Sequence, residues 1–238
     1  MKTKLFHIAS AATLLWFTSC STPQLSQERG QGNAPIAPNT QLAPTQEVDT
    51  NSDAQVPLNL NVAGATLSQS EAEALLFMRE EEKLARDVYQ TLYAKWKLQP
   101  FTNIARSEQT HTDAIRRLMD AYKVTDTSST QVGVFTNPDL QKLYSSLVAQ
   151  GEKSVVDALK VGATIEDLDI VDLQTRKAQT NKADIQVVYD SLIRGSENHL
   201  RAFTGQLANY GSGYKPQYLS QSAYDAIVAA NQRGGPRR

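Results

Sequence analysis

Apolar residues recur at steps of three and four in four long stretches of this chain, and in every stretch an acid, a histidine or both interrupt the stripe. The first reads Leu75, Met78, Glu82, Ala85, Tyr89, Leu92, Trp96, and the second Ile104, Glu108, His111, Ile115, Leu118, Tyr122. The third reads Val155, Leu159, Gly162, Glu166, Asp169, Leu173, and the fourth Ile185, Val188, Leu192, Ser196, His199, Phe203. Each pattern predicts an amphipathic helix. Ser68 or Ser70, with Glu71 or Glu73 three residues on, opens helix one in capping-box spacing, and that helix runs to about Lys97. Pro100 breaks the pattern, Thr102 can cap, and helix two runs from Asn103 to about Lys123. Ser154 can cap helix three, which reaches about Lys177, and Asn181 can cap helix four, which reaches about Asn209.

The links set the architecture. One is tight, one is long and one is short, which describes an all-α fold, an antiparallel four-helix bundle. Asn137-Pro138 opens a short extra helix between helices two and three, with Leu140, Leu143, Leu147 and Val148, that Gly151 ends. Beyond Tyr210, Gly211-Ser212-Gly213 and Lys215-Pro216 mark a turn, and Ser220 to Asn231 could form a last small helix. The domain expectation is 1–20 signal, 21–66 linker, 67–215 helical bundle and 216–238 C-terminal extension.

A carboxylate on a core-facing stripe must be protonated, paired or bound to a metal, because burying it unpaired costs several kcal/mol or more. Glu82, Glu108, Glu166 and Asp169, with His111 and His199, would project from four helices into one interior, where a cation or shared protons could balance the acids. That is what a carboxylate-bridged metal site requires. Glu108 and His111 stand three apart, so a bridging carboxylate and a terminal imidazole share one helix face. The bland alternatives are a charged outer face for Glu80 to Lys83, and a Glu108–His111 pair capped by Arg106 or Arg116 with Asp169 accepting from His199.

Composition adds an amino-terminal story. Lys2 and Lys4, an apolar run from Ile8 to Phe17 and then Ser19-Cys20 have the layout of an export signal, too short an apolar run to span a bilayer. Cys20 is the single cysteine, which excludes an intramolecular disulfide. From Ser21 to about Ala65 the residues are those of a tether, poor in aromatics. The formal charge is −1, or −3 once the signal with Lys2 and Lys4 is removed, and no basic patch suited to nucleic acid stands out beyond Arg233, Arg237 and Arg238.

Two resemblances extend this reading. Phe17-Thr18-Ser19-Cys20 resembles a bacterial lipoprotein processing site, which implies lipidation at Cys20 and residence in the cell envelope, on the periplasmic side of a membrane. The segments Glu81 to Tyr89, Ser107 to His111, Gly162 to Ile170 and Gly195 to Phe203 together resemble the ferritin-like superfamily, specifically the bacterial family catalogued as domain of unknown function 2202. The resemblance implies a ferritin-like bundle over about residues 68 to 215 and makes Glu82, Glu108, His111, Glu166 and His199 metal ligands. It also places Tyr89, seven residues after Glu82, near the metals, while Glu81 remains a competing first-helix ligand. Helix four departs from the pattern, with Ser196 where the superfamily has a glutamate, and Asp169 could supply the missing carboxylate. The site would then hold two iron ions, or manganese.

The expected function is that of a non-haem di-iron oxidoreductase acting as an oxidase, ferroxidase or peroxidase, with oxygen or peroxide as partner and Tyr89 as an electron donor. The alternative is a non-enzymatic binding or scaffold module of the cell envelope whose acids hold a structural or vestigial metal. Metal storage suits an anchored chain poorly, because it needs a closed cage of subunits.

Overall fold

The computed structural model describes residues 66–230, and the expectations for the signal, Cys20 and most of the linker lie outside them. Those residues form α1 (Gln69–Trp96), α2 (Gln99–Ala121), α3 (Pro138–Gly151), α4 (Val155–Ala178), α5 (Ala183–Asn209) and α6 (Gln221–Ala230), with no strand among them. No helix of the described residues is long and apolar enough to cross a membrane.

Local chemistry explains the ends. Ser68 caps α1 through a reciprocal capping box with Glu71, and Asn137 and Ser154 cap α3 and α4 through the amides of Asp139, Leu140 and Asp157. Two expected starts move. Pro100 does not break α2 but sits in its first turn, where a missing N–H costs nothing, so the helix begins at Gln99 with no side-chain cap. The cap of α5 is Lys182 rather than Asn181. Thr180 does the fastening there: its hydroxyl accepts from the Lys182 amide and donates to Glu71 on α1.

Packing follows the stripes. α1 lies against α2 and α4 against α5, the two pairs meeting along α1–α4 and α2–α5, while α3 covers α1 and α4, and α6 leans on α5. The core falls into two apolar clusters. One gathers Leu84, Val88, Tyr89, Phe101, Ile104, Leu159 and Phe203, the other Leu75, Met78, Ile115, Leu118, Leu173, Val188 and Leu192. Along each long helix the acids and histidines of the stripe fall between the residues of these two clusters, so a buried polar layer divides the core. Gly162 keeps the first cluster close-packed: a Cβ there would stand 2.5 Å from the Phe203 ring, which in turn packs on Tyr89 and Phe101.

The run Glu80 to Lys83 is not a solvated face. All four side chains are buried, Glu80 and Lys83 under the loop before α3, which folds over the outer side of α1. Glu80 accepts from the amides of Thr136 and Asn137 and from the Thr136 hydroxyl. Lys83 donates to Asp87 at 2.6 Å and to the carbonyls of Gln131 and Val134, and Asp87 also accepts from the Gly133 amide. The segment from 216, expected as an extension, is tied down in the same way. Asp167 on α4 accepts from the Tyr214 hydroxyl and the amides of Gln217, Tyr218 and Leu219.

Candidate metal centre

The polar layer is built by one or two residues from each long helix: Glu82 from α1, Glu108 and His111 from α2, Glu166 and Asp169 from α4, Ser196 and His199 from α5. Every one of them is at most 5 % exposed. Helical geometry aims them together, since each replaces an apolar residue at a stripe position and inherits its direction.

Glu108 is the hub. Its Oε2 lies 2.9 Å from His111 Nδ1, and its Oε1 lies 2.8 Å from His199 Nδ1. Glu82 Oε2 approaches the same His111 nitrogen at 3.2 Å, and Glu166 Oε2 approaches His199 Nδ1 at 3.4 Å. The two imidazoles stack with centroids 5.5 Å apart and an interplanar angle of 28°. Two groups of ligand atoms result, Glu82–Glu108–His111 and Glu108–Glu166–His199, each within 4.8 Å and sharing Glu108. Either group could hold a cation, and the shared carboxylate has one oxygen for each.

Around this nucleus the other groups take defined places. Glu166 Oε1 accepts from the Tyr89 hydroxyl at 2.5 Å, and that hydroxyl also lies 3.4 Å from the Gly162 carbonyl. Ser196 donates to Asp169 Oδ2 at 2.6 Å, so the residue standing in for an α5 acid holds the acid on α4. Asp169 therefore bonds to Ser196 rather than His199, and its Oδ1 has no hydrogen-bond partner, like Glu82 Oε1. His199 Nε2 meets the Ser107 hydroxyl at 3.0 Å. Arg116 pairs with Asp113 at the surface and Arg106 is exposed, so neither caps the Glu108–His111 pair.

Electrostatics records the crowding of acids. Burial pushes the Glu82 carboxyl up to about 8, with the charge of Glu108 adding to the rise, and pushes Glu166 up to about 7 for the same two reasons. Burial likewise raises Asp169 well above its ordinary range, helped by Glu82 and Glu81. Glu108 goes the other way: burial opposes its charge, but the two imidazoles overcome that and hold it far below a usual carboxylate. Burial would lower His111, yet Glu108 and Glu82 raise it to about 10. Burial and the Glu166 charge raise the Tyr89 phenol, so it keeps its proton.

The choice between Glu81 and Glu82 is a matter of direction. Glu82 faces His111, whereas Glu81, about 100° round the helix, faces Asp172 and Arg176 on the α1–α4 side. Ser107 is not among the candidates that the sequence offers. Its only signal there is its place beside Glu108, which says nothing of its reach to α5.

The family model described as an uncharacterized protein domain, DUF2202, matches residues 71–231. An uncharacterized protein, MJ0754, of Methanocaldococcus jannaschii is 54% identical over 173 residues, which cover 72% of this chain and 94% of the relative. The crystal structure of that hypothetical protein superposes with a TM-score of 0.68 at 56% identity, over 68% of this chain and 94% of the other. The relative is archaeal, so the family is not confined to bacteria. This chain belongs to the DUF2202 family.

Proposed function

We propose that this family member is a ferritin-like four-helix protein whose polar layer binds two iron or manganese ions and reacts them with oxygen or peroxide. The observation that carries the reading is the pair of three-ligand groups sharing Glu108, with one Glu108 oxygen directed to each. The donor set fits the ions. Carboxylates and imidazoles suit iron and manganese, and a glutamate shared between two groups that each add one Glu and one His matches the arrangement of di-iron carboxylate bundles except at Ser196, where α5 lacks the second glutamate of the Glu-x-x-His pair. Glu82 Oε1 and Asp169 Oδ1 support it as well, since buried carboxylate oxygens without a partner are costly unless a cation completes them.

Bound, such a pair of ions supplies electrons to an oxidant. The residues of this chain do the rest. Glu82, Glu108 and Glu166 would hold the ions by oxygen, His111 and His199 by Nδ1. Ser107 fixes the His199 ring: with Nε2–H donated to the hydroxyl, Nδ1 presents its lone pair inward, as a metal-binding imidazole requires. Ser196 orients Asp169 as the fourth acid, in place of a glutamate from α5. Tyr89, neutral and bonded to Glu166, would supply one electron toward the reduction of the oxygen or peroxide, its hydroxyl proton passing to Glu166. The two apolar clusters above and below keep bulk water away from the layer. The order of a basic start, an apolar run and Cys20 supports a lipid-anchored place in the cell envelope for this activity.

Elemental analysis of full-length protein purified without chelator or affinity metal tests the reading. About two iron or manganese ions per chain and an absorption change on adding oxygen or peroxide are expected, by the ligand count of such sites. No ion, or one ion inert to both oxidants, would leave a non-enzymatic envelope module instead.

A further inference from the structure

Beside the polar layer, and outside the ligand set just described, a small cavity of about 20 Å³ opens between α1, α3, α4 and the segment before α6. That is room for about one water molecule or one ion of similar size. Its walls are Leu84, Leu143, Leu147, Ile165 and Leu168 with Thr164, and Tyr218, 43 % exposed, stands at its mouth. A single charged group lines it. Glu81 is 3 % exposed, and neither of its carboxylate oxygens has a hydrogen-bond partner.

An apolar cavity that ends on a buried carboxyl is an expensive arrangement for stability alone: burial and the nearby Asp172 push Glu81 well above the ordinary carboxyl range, and Arg176 offsets only part of that rise. The neighbours make the direction plain. Outward, Glu81 faces the half-buried carboxylate of Asp172, and both acids act on Tyr218 at the mouth. Inward, Glu81 and Glu82 act together on Asp169, whose Oδ1 is also unpartnered. Arg176, laid over the Phe77 ring at 4.1 Å, offsets part of the charge on Glu81 without hydrogen bonding to it. Glu81 at the cavity thus has the Asp172 carboxylate as one neighbour and the acids of the polar layer, Glu82 and Asp169, as the others.

We propose that this cavity is the entry route for the ions of the centre, a divalent cation being held transiently by Glu81 and Asp172 below Tyr218 and passed by Asp169 to Glu82. The proposal rests on the metal-binding reading above. Oxygen donors of this kind take hard and borderline divalent cations, and a site of two carboxylates in apolar walls binds them weakly enough to release them inward. The centre itself is sealed by its apolar clusters, so an ion needs some such path.

The test is the rate of Mn²⁺ loading into full-length metal-free protein, read by timed desalting and elemental analysis. Glu81→Gln should slow loading about tenfold, of the order that losing an outer-shell partner costs a metal site, and Asp172→Asn should slow it less but by more than about twofold, with the final content equal to the parent's. Loading by both variants within about twofold of the parent overturns the route. A final content lower by one whole ion in Glu81→Gln overturns it too, since Glu81 would then be a permanent ligand. Should Glu81→Gln lose its helical signal, Asp172→Asn at its half-buried position decides by the same rate criterion. If the parent itself takes up no Mn²⁺, the metal-binding reading falls and the route with it.

Discussion

Buried acids of two kinds occupy opposite sides of the same helices. Glu80, Asp87 and Asp167 face away from the polar layer, and each is surrounded by donors that come to it: loop amides, two hydroxyls, Lys83 and Arg86. Glu82, Glu166 and Asp169 face inward, where they meet one another, two imidazoles and few donors, and their carboxyls are pushed up accordingly. Burial is alike in the two sets. What differs is whether the chain supplies the compensating groups itself, and the difference teaches that the first set fastens loops while the second is completed by protons or by ions.

Substitutions break or sharpen that contrast. The largest effect is expected at the hub: Glu108→Ala should take the metal content of the full-length protein from about two ions to near none, because both ligand groups share that residue. His111→Ala should abolish only the group that contains it, and elemental analysis distinguishes the two outcomes. An unchanged metal content in both variants would remove the site.

Asp167→Ala should do the reverse, leaving the metal content alone and costing about 3–5 kcal/mol in urea unfolding, since a hydroxyl and three amides lose a buried charged acceptor together. A loss under about 1 kcal/mol would mean that water replaces the carboxylate and that the segment before α6 is not fastened by it.

The metal-free protein should also show the contrast in its pH dependence. Glu82 and Glu166 are raised in the folded state, so it binds more protons than the unfolded chain; the stability they allow is full below about 4.5 and is lost as pH rises toward 7 and 8. His111, raised to about 10, adds stability below 6.5 that is lost as pH climbs through 10. Both signs agree, and the thermal stability of metal-free protein should fall from about pH 5 to about pH 9. Protein loaded with metal should not follow, because its ligands are already deprotonated.

The smallest effect is expected at Ser196→Ala, which releases Asp169 Oδ2 from its hydroxyl donor and removes one buried hydrogen bond, about 1 kcal/mol. If Asp169 completes the centre, metal affinity should fall roughly tenfold as well, the usual cost of losing such a support. Titration of Mn²⁺ into the variant separates that from a purely structural role, which would leave affinity unchanged.

Much of the fold is legible along the chain, because helix stripes, caps and links are local. Asn137, Ser154 and Ser68 cap where their spacing says, and the stripes containing Glu82, Glu108, Glu166 and His199 point inward because helix geometry gives them no other direction. Pro100 misleads for a local reason too: a proline stops a helix only past its first turn.

What only the tertiary structure decided is which distant partner each side chain meets. The three consecutive acids of α1 look alike in sequence, yet Glu80 meets a loop, Glu81 a cavity and Glu82 a histidine, while Lys83 next to them closes on Asp87 under the chain that follows α2. A helical period assigns a side chain its angle round the axis; it carries no information about which distant segment arrives there. Ser107 reaching His199 across 92 residues, and Ser196 taking hold of Asp169, are contacts of that kind, set by how the helix pairs pack rather than by anything adjacent in the chain.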